Sequence, residues 1–281
     1  MDLGLQIFLT DKTMPVTDLA RAVEERGFES LWFAEHTHIP VSRKTPYPAG
    51  GELPEQYWRT FDPFVTVTAA AVVTERLKLG TGICLVAQHD TIDLAKSVAS
   101  VDHISNGRFL FGVGYGWNVE EMRDHGVDPK QRRAIVRERL LAAKQLWTED
   151  VASFEGEHVN IEPSWIWPKP VQKPHPPIIF GGAGPTLFRH IVEFGDGWMP
   201  IGGAGAREAL TDLRRQMEEA GRDPASLDLT ITAVIPDLDK LRYYEESLGI
   251  NRVLFFAPSA GRDEILPVLD HYANEFLAPL R

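Results

Sequence analysis

The chain has 281 residues, of which 43% are hydrophobic and 25% charged, and its formal net charge is −11. This composition is typical of a soluble globular protein with a large core, and it argues against a disordered chain. The acidic balance disfavours nonspecific binding to nucleic acid or to anionic membranes. Because no apolar stretch approaches the roughly 20 residues of a membrane span, and no signal segment precedes the first strand-like run, we expect a cytoplasmic protein.

Cysteine is almost absent from the chain, since Cys84 is the single one. One cysteine excludes an internal disulfide and argues against a zinc site built from cysteines. Because Cys84 lies inside an apolar run, we expect a buried and inert thiol.

Short apolar runs alternate with segments of helical spacing along the whole chain. This rhythm predicts parallel strands separated by helices, and the nearly continuous apolar runs predict a sheet that is covered on both faces. Eight such units fit a (β/α)8 TIM barrel, an α/β fold, as one domain over residues 1–281. The predicted strands are Leu3–Phe8, Ser30–Ala34, Leu77–Val86, Arg108–Val113, Pro177–Gly181, Gly197–Pro200, Leu227–Ile235 and Arg252–Ala257. The predicted helices are Val16–Arg26, Pro63–Val73, Thr91–Ile104, Gln131–Trp147, Thr186–Phe194, Ala206–Ala220, Leu238–Leu248 and Arg262–Phe276.

Two long insertions interrupt the repeat: Thr37–Asp62 after strand 2 and Thr148–Pro176 before strand 5. Both are rich in Pro, Trp and Tyr, and loops of this length inside a compact fold are usually functional or flexible. Loops that follow strands form the active-site face of a barrel, so we expect the first insertion to overhang a pocket. The second is expected to contain a small hairpin around Phe154–Ile161.

Glu35 and His36 stand together at the end of the second predicted strand, where barrel enzymes place reactive groups. Burying either side chain without a partner costs several kcal/mol, so the pair is a candidate catalytic site. A structural ion pair or a capping pair is the alternative. His38 adds a His-x-His pattern that suits a metal, but we find no further His, Asp or Lys at the later strand ends. We therefore expect no metal.

Glycine-rich segments mark three strand ends or strand interiors. Gly80–Ile83 lies within the third strand, where glycine indicates a bulge, a bend or the close approach of a ligand. Gly112–Trp117 closes the fourth strand and provides a side-chain-free wall for a planar ring. Gly181–Pro185 follows the fifth strand and opens a helix, a position whose free amides attract anions such as phosphate. A plain bend, packing glycines and a tight turn are the respective alternatives.

These elements, in this order, resemble the luciferase-like monooxygenase superfamily, barrel proteins that bind FMN or the deazaflavin F420. The resemblance covers nearly the whole chain. More narrowly, the motifs resemble a branch of probable F420-dependent oxidoreductases. They are Glu35–Pro40, Gly107–Phe109, Gly112–Trp117, Glu120–Glu121, Leu146–Trp147, Trp167–Pro170 and Gly195–Trp198.

The resemblance implies a role for each candidate residue. Glu35 and His36 would face the reactive edge of the deazaflavin, and Gly82-Ile83 would be the strand-three bulge, often a non-prolyl cis peptide, that backs the ring. The sugar-phosphate dehydrogenase branch has Asp where Glu35 stands and Glu where Trp117 stands, which disfavours a sugar-phosphate substrate. The remaining predicted cofactor contacts are Gly114, Tyr115, Gly116 and Trp117 beside the ring, and Gly181, Gly182, Ala183 and Gly184 at the phosphate.

We therefore predict an F420-dependent oxidoreductase that transfers a hydride between the deazaflavin C5 and a small organic substrate. His36 is expected to act as general acid or base, and Glu35 to orient it or to bind the ring edge. One alternative is an FMN-dependent monooxygenase fed by a separate flavin reductase, and another is a non-catalytic flavin or deazaflavin carrier. A homodimer is expected from the resemblance.

Overall fold

The computed structural model describes residues 1–280 and has the predicted alternation of strands and helices. The strands are β1 (Asp2–Ile7), β2 (Ser30–Phe33), β3 (Lys78–Thr81), β4 (Cys84–Leu85), β5 (Phe109–Gly114), β6 (Ala152–Glu155), β7 (Asn160–Ser164), β8 (Ile178–Gly181), β9 (Gly197–Met199), β10 (Asp228–Thr232) and β11 (Arg252–Phe256). The helices are α1 (Val16–Glu25), α2 (Pro63–Ala71), α3 (Thr91–Ile104), α4 (Val119–Asp124), α5 (Arg132–Thr148), α6 (Pro185–Phe194), α7 (Ala206–Glu219), α8 (Leu238–Leu248) and α9 (Arg262–Tyr272).

The main sheet is a closed parallel barrel. Its strands follow the order β3, β2, β1, β11, β10, β9, β8, β5, and the pairing of β3 with β5 closes the ring. The predicted (β/α)8 TIM barrel is thereby confirmed. The hairpin expected in the second insertion is also present, since β6 and β7 pair antiparallel.

Two predicted strands differ from those observed. The third is interrupted at Gly82-Ile83, where the peptide bond is cis, so that β3 and β4 replace a single Leu77–Val86 strand. The carbonyl of Gly82 accepts a hydrogen bond of 2.5 Å from the side chain of Gln6. The strand predicted to reach Ile235 ends as β10 at Thr232, because Ala233 adopts a φ of 58°, outside the extended region.

Helix α4 is not predicted from the sequence, because six residues are too few to show a helical period. Its start carries two recognisable signals. Asn118 caps it by accepting a hydrogen bond from the amide of Glu121, and Glu120 and Glu121 place negative charge in the first turn. No helix of the described residues combines the length and apolarity that a membrane crossing requires.

The inside of the barrel is packed around Trp32. A side-chain carbon at Gly80 would overlap the Trp32 indole, and one at Gly112 would overlap the carbonyl oxygen of Thr81. These glycines therefore leave the room that a buried tryptophan needs between strands. The inner cluster is Trp32, Leu110, Ile179, Met199 and Leu254, with Ile83 packed against it. This packing closes the barrel interior beneath the carboxyl ends of the strands.

Arg252, at the start of β11, is 3% exposed and joins three parts of the barrel. Its guanidinium donates to both carboxylate oxygens of Glu29, at 2.8 and 3.0 Å, and to both of Asp228, also at 2.8 and 3.0 Å. Burial alone would raise the pKa of Glu29, but the hydrogen bond and charge of Arg252 outweigh it and lower that pKa from 4.5 to about 2. This contribution to stability is present above pH 4.5 and is lost as the pH falls toward 2.

We expect Arg252→Met to lower the free energy of unfolding at pH 7 by about 3 kcal/mol, because it removes the hydrogen bonds to both carboxylates and leaves Glu29 only its ion pair with Lys78 at 2.9 Å. The loss should shrink below pH 4.5, where Glu29 of the unfolded chain takes up its proton. Urea unfolding followed by circular dichroism measures both effects. Arg215→Met, which removes ion pairs between exposed side chains, is the control and should cost less than about 1 kcal/mol. Equal losses in the two variants would contradict the role given to Arg252.

Candidate active site

A cavity of about 660 Å³ opens at the carboxyl ends of the barrel strands, a volume within the range of small-molecule sites. Four of its lining residues come from the first insertion, which therefore overhangs the pocket as predicted. These four are Tyr47, Pro48, Ala49 and Tyr57. The predicted site residues that line it are Glu35, His36, Gly82, Ile83, Tyr115, Gly116, Trp117, Gly181, Gly182 and Ala183.

His36 is buried just beyond the end of β2 and has a defined hydrogen-bond partner on each ring nitrogen. Its Nδ1 lies 2.8 Å from a carboxylate oxygen of Glu121, and the indole N–H of Trp117 donates to its Nε2 at 3.3 Å. A carboxylate on one side and a donor on the other assign the neutral imidazole proton to Nδ1 and leave the lone pair on Nε2. The side chain therefore presents a proton acceptor at the edge of the cavity.

Glu121 is the acid that orients His36, a part predicted from the sequence as one possibility for Glu35. Its side chain is fully buried, and its second oxygen accepts a hydrogen bond of 3.2 Å from the amide of Thr37. The available signal was the Glu120–Glu121 motif together with the capping residue before it. Neither indicates a contact with a histidine 85 residues away.

Glu35 has other partners. One of its oxygens accepts from the Leu85 amide at 2.5 Å, and the other accepts from Nε2 of His89 at 2.6 Å. Burial would lower the pKa of His89, but the hydrogen bond and charge of Glu35 outweigh it and raise that pKa. Glu35 thus supports β4, and its contact with a cofactor ring stays a prediction.

His89 corrects the expectation that no histidine stands at a later strand end. It follows β4, and its ligand atom lies within 4.8 Å of those of Glu35 and Cys84. Hydrogen bonding to Glu35 accounts for this cluster without an ion. Cys84 is buried as expected, and burial followed by the nearby charge of Glu35 raises the pKa of its thiol well above the ordinary value.

The Gly82-Ile83 bulge forms one wall of the cavity and carries the cis peptide that the resemblance implies. Gln6 holds it by donating to the carbonyl of Gly82, and the Gln6 side-chain oxygen accepts from the hydroxyl of Thr232. The structure changes the part expected of Gly114. A side-chain carbon there would overlap Ile83, so Gly114 supports Ile83 from behind and does not line the cavity.

Tyr115 joins the segment after β5 to helix α6. Its hydroxyl lies 2.7 Å from Nδ1 of His190, and burial lowers the pKa of that histidine to about 4, so that it is neutral at pH 7. Burial raises the pKa of Tyr115, while the charges of Arg133 and Arg189 act in the opposite direction. Two arginines are therefore close enough to create a positive field at this side of the cavity.

The predicted phosphate cradle lies at the start of α6, on that positive side. Gly182 and Gly184 have φ values of 108° and 123°, which residues with side chains rarely adopt. Nothing lies within 4 Å of the position that a side-chain carbon would take at Gly184, the residue that caps α6. Gly184 is thus open, although it lies outside the cavity lining. Helix-start amides beside arginines are suited to an anion.

Arg132 and Arg133 also line the cavity, although no role was predicted for them from the sequence. The guanidinium of Arg133 lies 5.8 Å from the ring centre of Tyr115. The Nε of Arg132 is buried and has no hydrogen-bond partner in the structure, an uncommon state for a charged donor. Both residues lie at the start of α5, and their position in the sequence gives no indication that they face a pocket.

Helix α4 also fixes the first insertion. Glu120 accepts hydrogen bonds from the amide of Lys44 at 3.1 Å and from the hydroxyl of Thr45 at 2.6 Å. The hydrogen bond from Thr45 is the main cause that lowers the pKa of Glu120 to about 2. Two consecutive glutamates of one short helix therefore hold the insertion and His36.

Comparison with known proteins gives the family context of this site. The family model described as luciferase-like monooxygenase matches residues 10–236. An uncharacterised protein of Mycobacterium tuberculosis is 41% identical over 97% of this chain and 98% of its own length. An F420-dependent glucose-6-phosphate dehydrogenase of Kineococcus radiotolerans is 27% identical over 86% of this chain and 68% of its own length.

Two solved structures show the same fold at low sequence identity. Monooxygenase RslO1 from Streptomyces bottropensis has a TM-score of 0.77 at 19% identity, with both chains covered completely. The coenzyme F420 dependent tetrahydromethanopterin reductase from Methanopyrus kandleri has a TM-score of 0.77 at 16% identity, over 100% of this chain and 99% of that one. The barrel, its bulge and the extent of the family match lead to one conclusion: the chain belongs to the luciferase-like monooxygenase family.

Proposed function

We propose that the protein is an F420-dependent oxidoreductase in which His36 moves the substrate proton. The observation that carries the proposal is the Glu121–His36 pair, which presents an accepting Nε2 on the same cavity as the Gly82-Ile83 bulge. F420 is supported by the motifs shared with probable F420-dependent oxidoreductases and by relatives that carry F420 dependence in their names.

The residues present fit a cofactor that has a planar ring and a phosphate. Ile83 offers an apolar wall, and Gly184 offers an open backbone with no side chain, whereas the amide of Gly182 donates to the carbonyl of Met199 at 3.1 Å. The unpaired buried Nε of Arg132 is a donor in need of an acceptor. When bound, F420 supplies or accepts a hydride at its C5.

The proton is the part of the reaction that this chain handles. A hydroxyl of the substrate can replace the Trp117 indole at Nε2 of His36, because the 3.3 Å contact between them is long for a hydrogen bond. Nε2 then accepts the hydroxyl proton, and the carboxylate of Glu121 stabilises the resulting imidazolium through Nδ1. In the opposite direction the same imidazolium returns the proton.

An FMN-dependent monooxygenase fed by a separate reductase is the second candidate. The observation that favours it is the similarity to monooxygenase RslO1, whose TM-score equals that of the F420-dependent reductase. A non-catalytic carrier would have no use for a proton acceptor held in place by a buried acid. The two enzyme candidates are separated by which cofactor binds.

We expect F420 to bind the purified protein at least about tenfold more tightly than FMN. The two cofactors differ in ring and tail, so a site that fits F420 should bind FMN more weakly, and specificity is this difference in affinity. Titration of the protein with each cofactor, followed by the quenching of fluorescence, measures both dissociation constants. Tighter binding of FMN would overturn the proposal in favour of the monooxygenase.

We expect His36→Asn to keep cofactor affinity and to lower kcat by about 10²-fold or more, because it removes the proton acceptor. Glu121→Gln should lower kcat by about tenfold to hundredfold, because the imidazole loses its fixed orientation and the imidazolium its counter-charge. Asp124→Asn, on the same helix, is the control and should leave kcat unchanged. Full turnover by His36→Asn would remove the proposed role.

Gly184→Ala should weaken cofactor binding by at least about tenfold, because a side chain disfavours the φ of 123° on which the open cradle depends. Gly221→Ala is the control: its φ is 71°, nothing lies within 4 Å of its side-chain position, and it follows the end of α7 instead of opening α6. Calorimetry should show a larger loss of thermal stability in Gly184→Ala, because φ 123° with ψ 164° is essentially confined to glycine, whereas affinity should fall only in that variant. A loss of affinity in both would show that the effect is not local to the cradle.

A further inference from the structure

The part of the cavity around His36 is walled by rings from Phe8, Tyr47, Tyr57 and Trp117, here called the aromatic box. The ring centres of His36 and Tyr57 are 5.2 Å apart, and those of Tyr57 and Phe8 are 4.5 Å apart. Tyr47 meets Tyr57 edge to face at 5.2 Å. These side chains form a continuous aromatic surface beside the proton acceptor, of the kind that stacks against another ring.

The aromatic box has no cationic side chain. Among the described residues, the cations that line the cavity are Arg132 and Arg133, and Arg133 lies against Tyr115 on the α6 side. Arg43 lies 5.7 Å from the ring centre of Trp117 but donates to the carbonyl of Thr45 and does not line the cavity. A phosphate or carboxylate in the box would therefore be desolvated with neutral donors only and without a cationic side chain as counter-charge, which is costly.

Two polar groups do converge in the box. Nε2 of His36 is an acceptor, and the hydroxyl of Tyr47 lies on the same cavity. The Tyr57 hydroxyl donates to the Tyr47 oxygen at 3.2 Å, and burial raises the pKa of Tyr57 so that it keeps its proton. This leaves the Tyr47 proton available. The box thus offers an acceptor and a donor, which suits a hydroxyl or carbonyl oxygen.

The mouth of the cavity is apolar as well. Ile201, which follows β9, is 74% exposed, and Phe256, at the end of β11, is 42% exposed. Both line the cavity, and β10 is the neighbour of both strands. A ligand that covers exposed apolar side chains at a pocket mouth binds more tightly, because burying apolar surface lowers the free energy of the complex.

We propose, resting on the function proposed above, that the substrate is a neutral, ring-bearing alcohol or ketone. Its ring lies in the aromatic box, its oxygen meets His36 and Tyr47, and its apolar remainder extends toward Ile201 and Phe256. Phosphorylated and carboxylated compounds are excluded from the box.

The test is a matched pair of ligands added to the protein loaded with whichever of F420 and FMN it binds. Acetophenone and 4-acetylbenzoate share a ring and a ketone and differ by one carboxylate. Isothermal titration calorimetry should show acetophenone binding at least about tenfold more tightly, because the carboxylate loses its hydration without gaining a cation. Equal affinity, tighter binding of the carboxylate, or no binding of either compound would overturn the proposal.

A positive charge introduced into the lining of the cavity tests where the ligand binds. Ala49 lines the cavity, whereas Val41 belongs to the same insertion, is fully exposed and lies outside the cavity. Ala49→Arg should reduce the preference for acetophenone by at least about tenfold, because it supplies the missing cation, and Val41→Arg should leave the preference unchanged. Identical behaviour of the two variants would show that the ligand binds elsewhere.

Binding and turnover separate this proposal from the proposed function. Selective binding of acetophenone, with no redox turnover of ring alcohols or ketones by either cofactor, would overturn the function and support the ligand class. Turnover of a phosphorylated or carboxylated substrate without binding of acetophenone would overturn the ligand class and leave the function standing.

Discussion

Buried carboxylates that need partners organise this barrel from one end to the other. At the amino ends of the strands, Glu29 is paired with Arg252. At the carboxyl ends, Glu35 holds the Leu85 amide and His89, while Glu121 holds His36. Glu35 and Glu121 are buried and would each cost several kcal/mol if left alone, so each fixes the element that carries its donor. The position of His36 follows from that requirement.

Periodicity in the sequence was sufficient for the barrel, because buried parallel strands and amphipathic helices each leave a local pattern. The strand-end position of His36 and the glycines after the fourth and fifth strands could be found in the same way. The partners of Glu121 and Glu35 could not be predicted from the sequence. Glu121 meets a histidine 85 residues away and Glu35 one that is 54 residues away, and no local pattern encodes such pairs. The glycines of the third strand indicated a bulge or a bend as one possibility, whereas the cis peptide at Gly82-Ile83 was expected only from the family resemblance.

The barrel itself does not select the chemistry. A monooxygenase and an F420-dependent reductase resemble this chain equally well in three dimensions. The features of the pocket that bear on specificity are local: an insertion that contributes Tyr47 and Tyr57, and arginines confined to the far side of the cavity. Because function depends on the site rather than on the fold, these local features are where specificity should be sought.

Helix α4 has a mechanical consequence for the site. Glu121 binds the imidazole of His36 and the amide of Thr37, the first residue of the insertion, while the adjacent Glu120 binds Lys44 and Thr45 further along it. A shift of this six-residue helix would therefore displace the cover of the pocket and the proton acceptor together. Because such coupling is reciprocal, a substrate that fixed the position of the insertion would also fix the position of the imidazole. The orientation of His36 would then depend on whether the pocket holds a substrate.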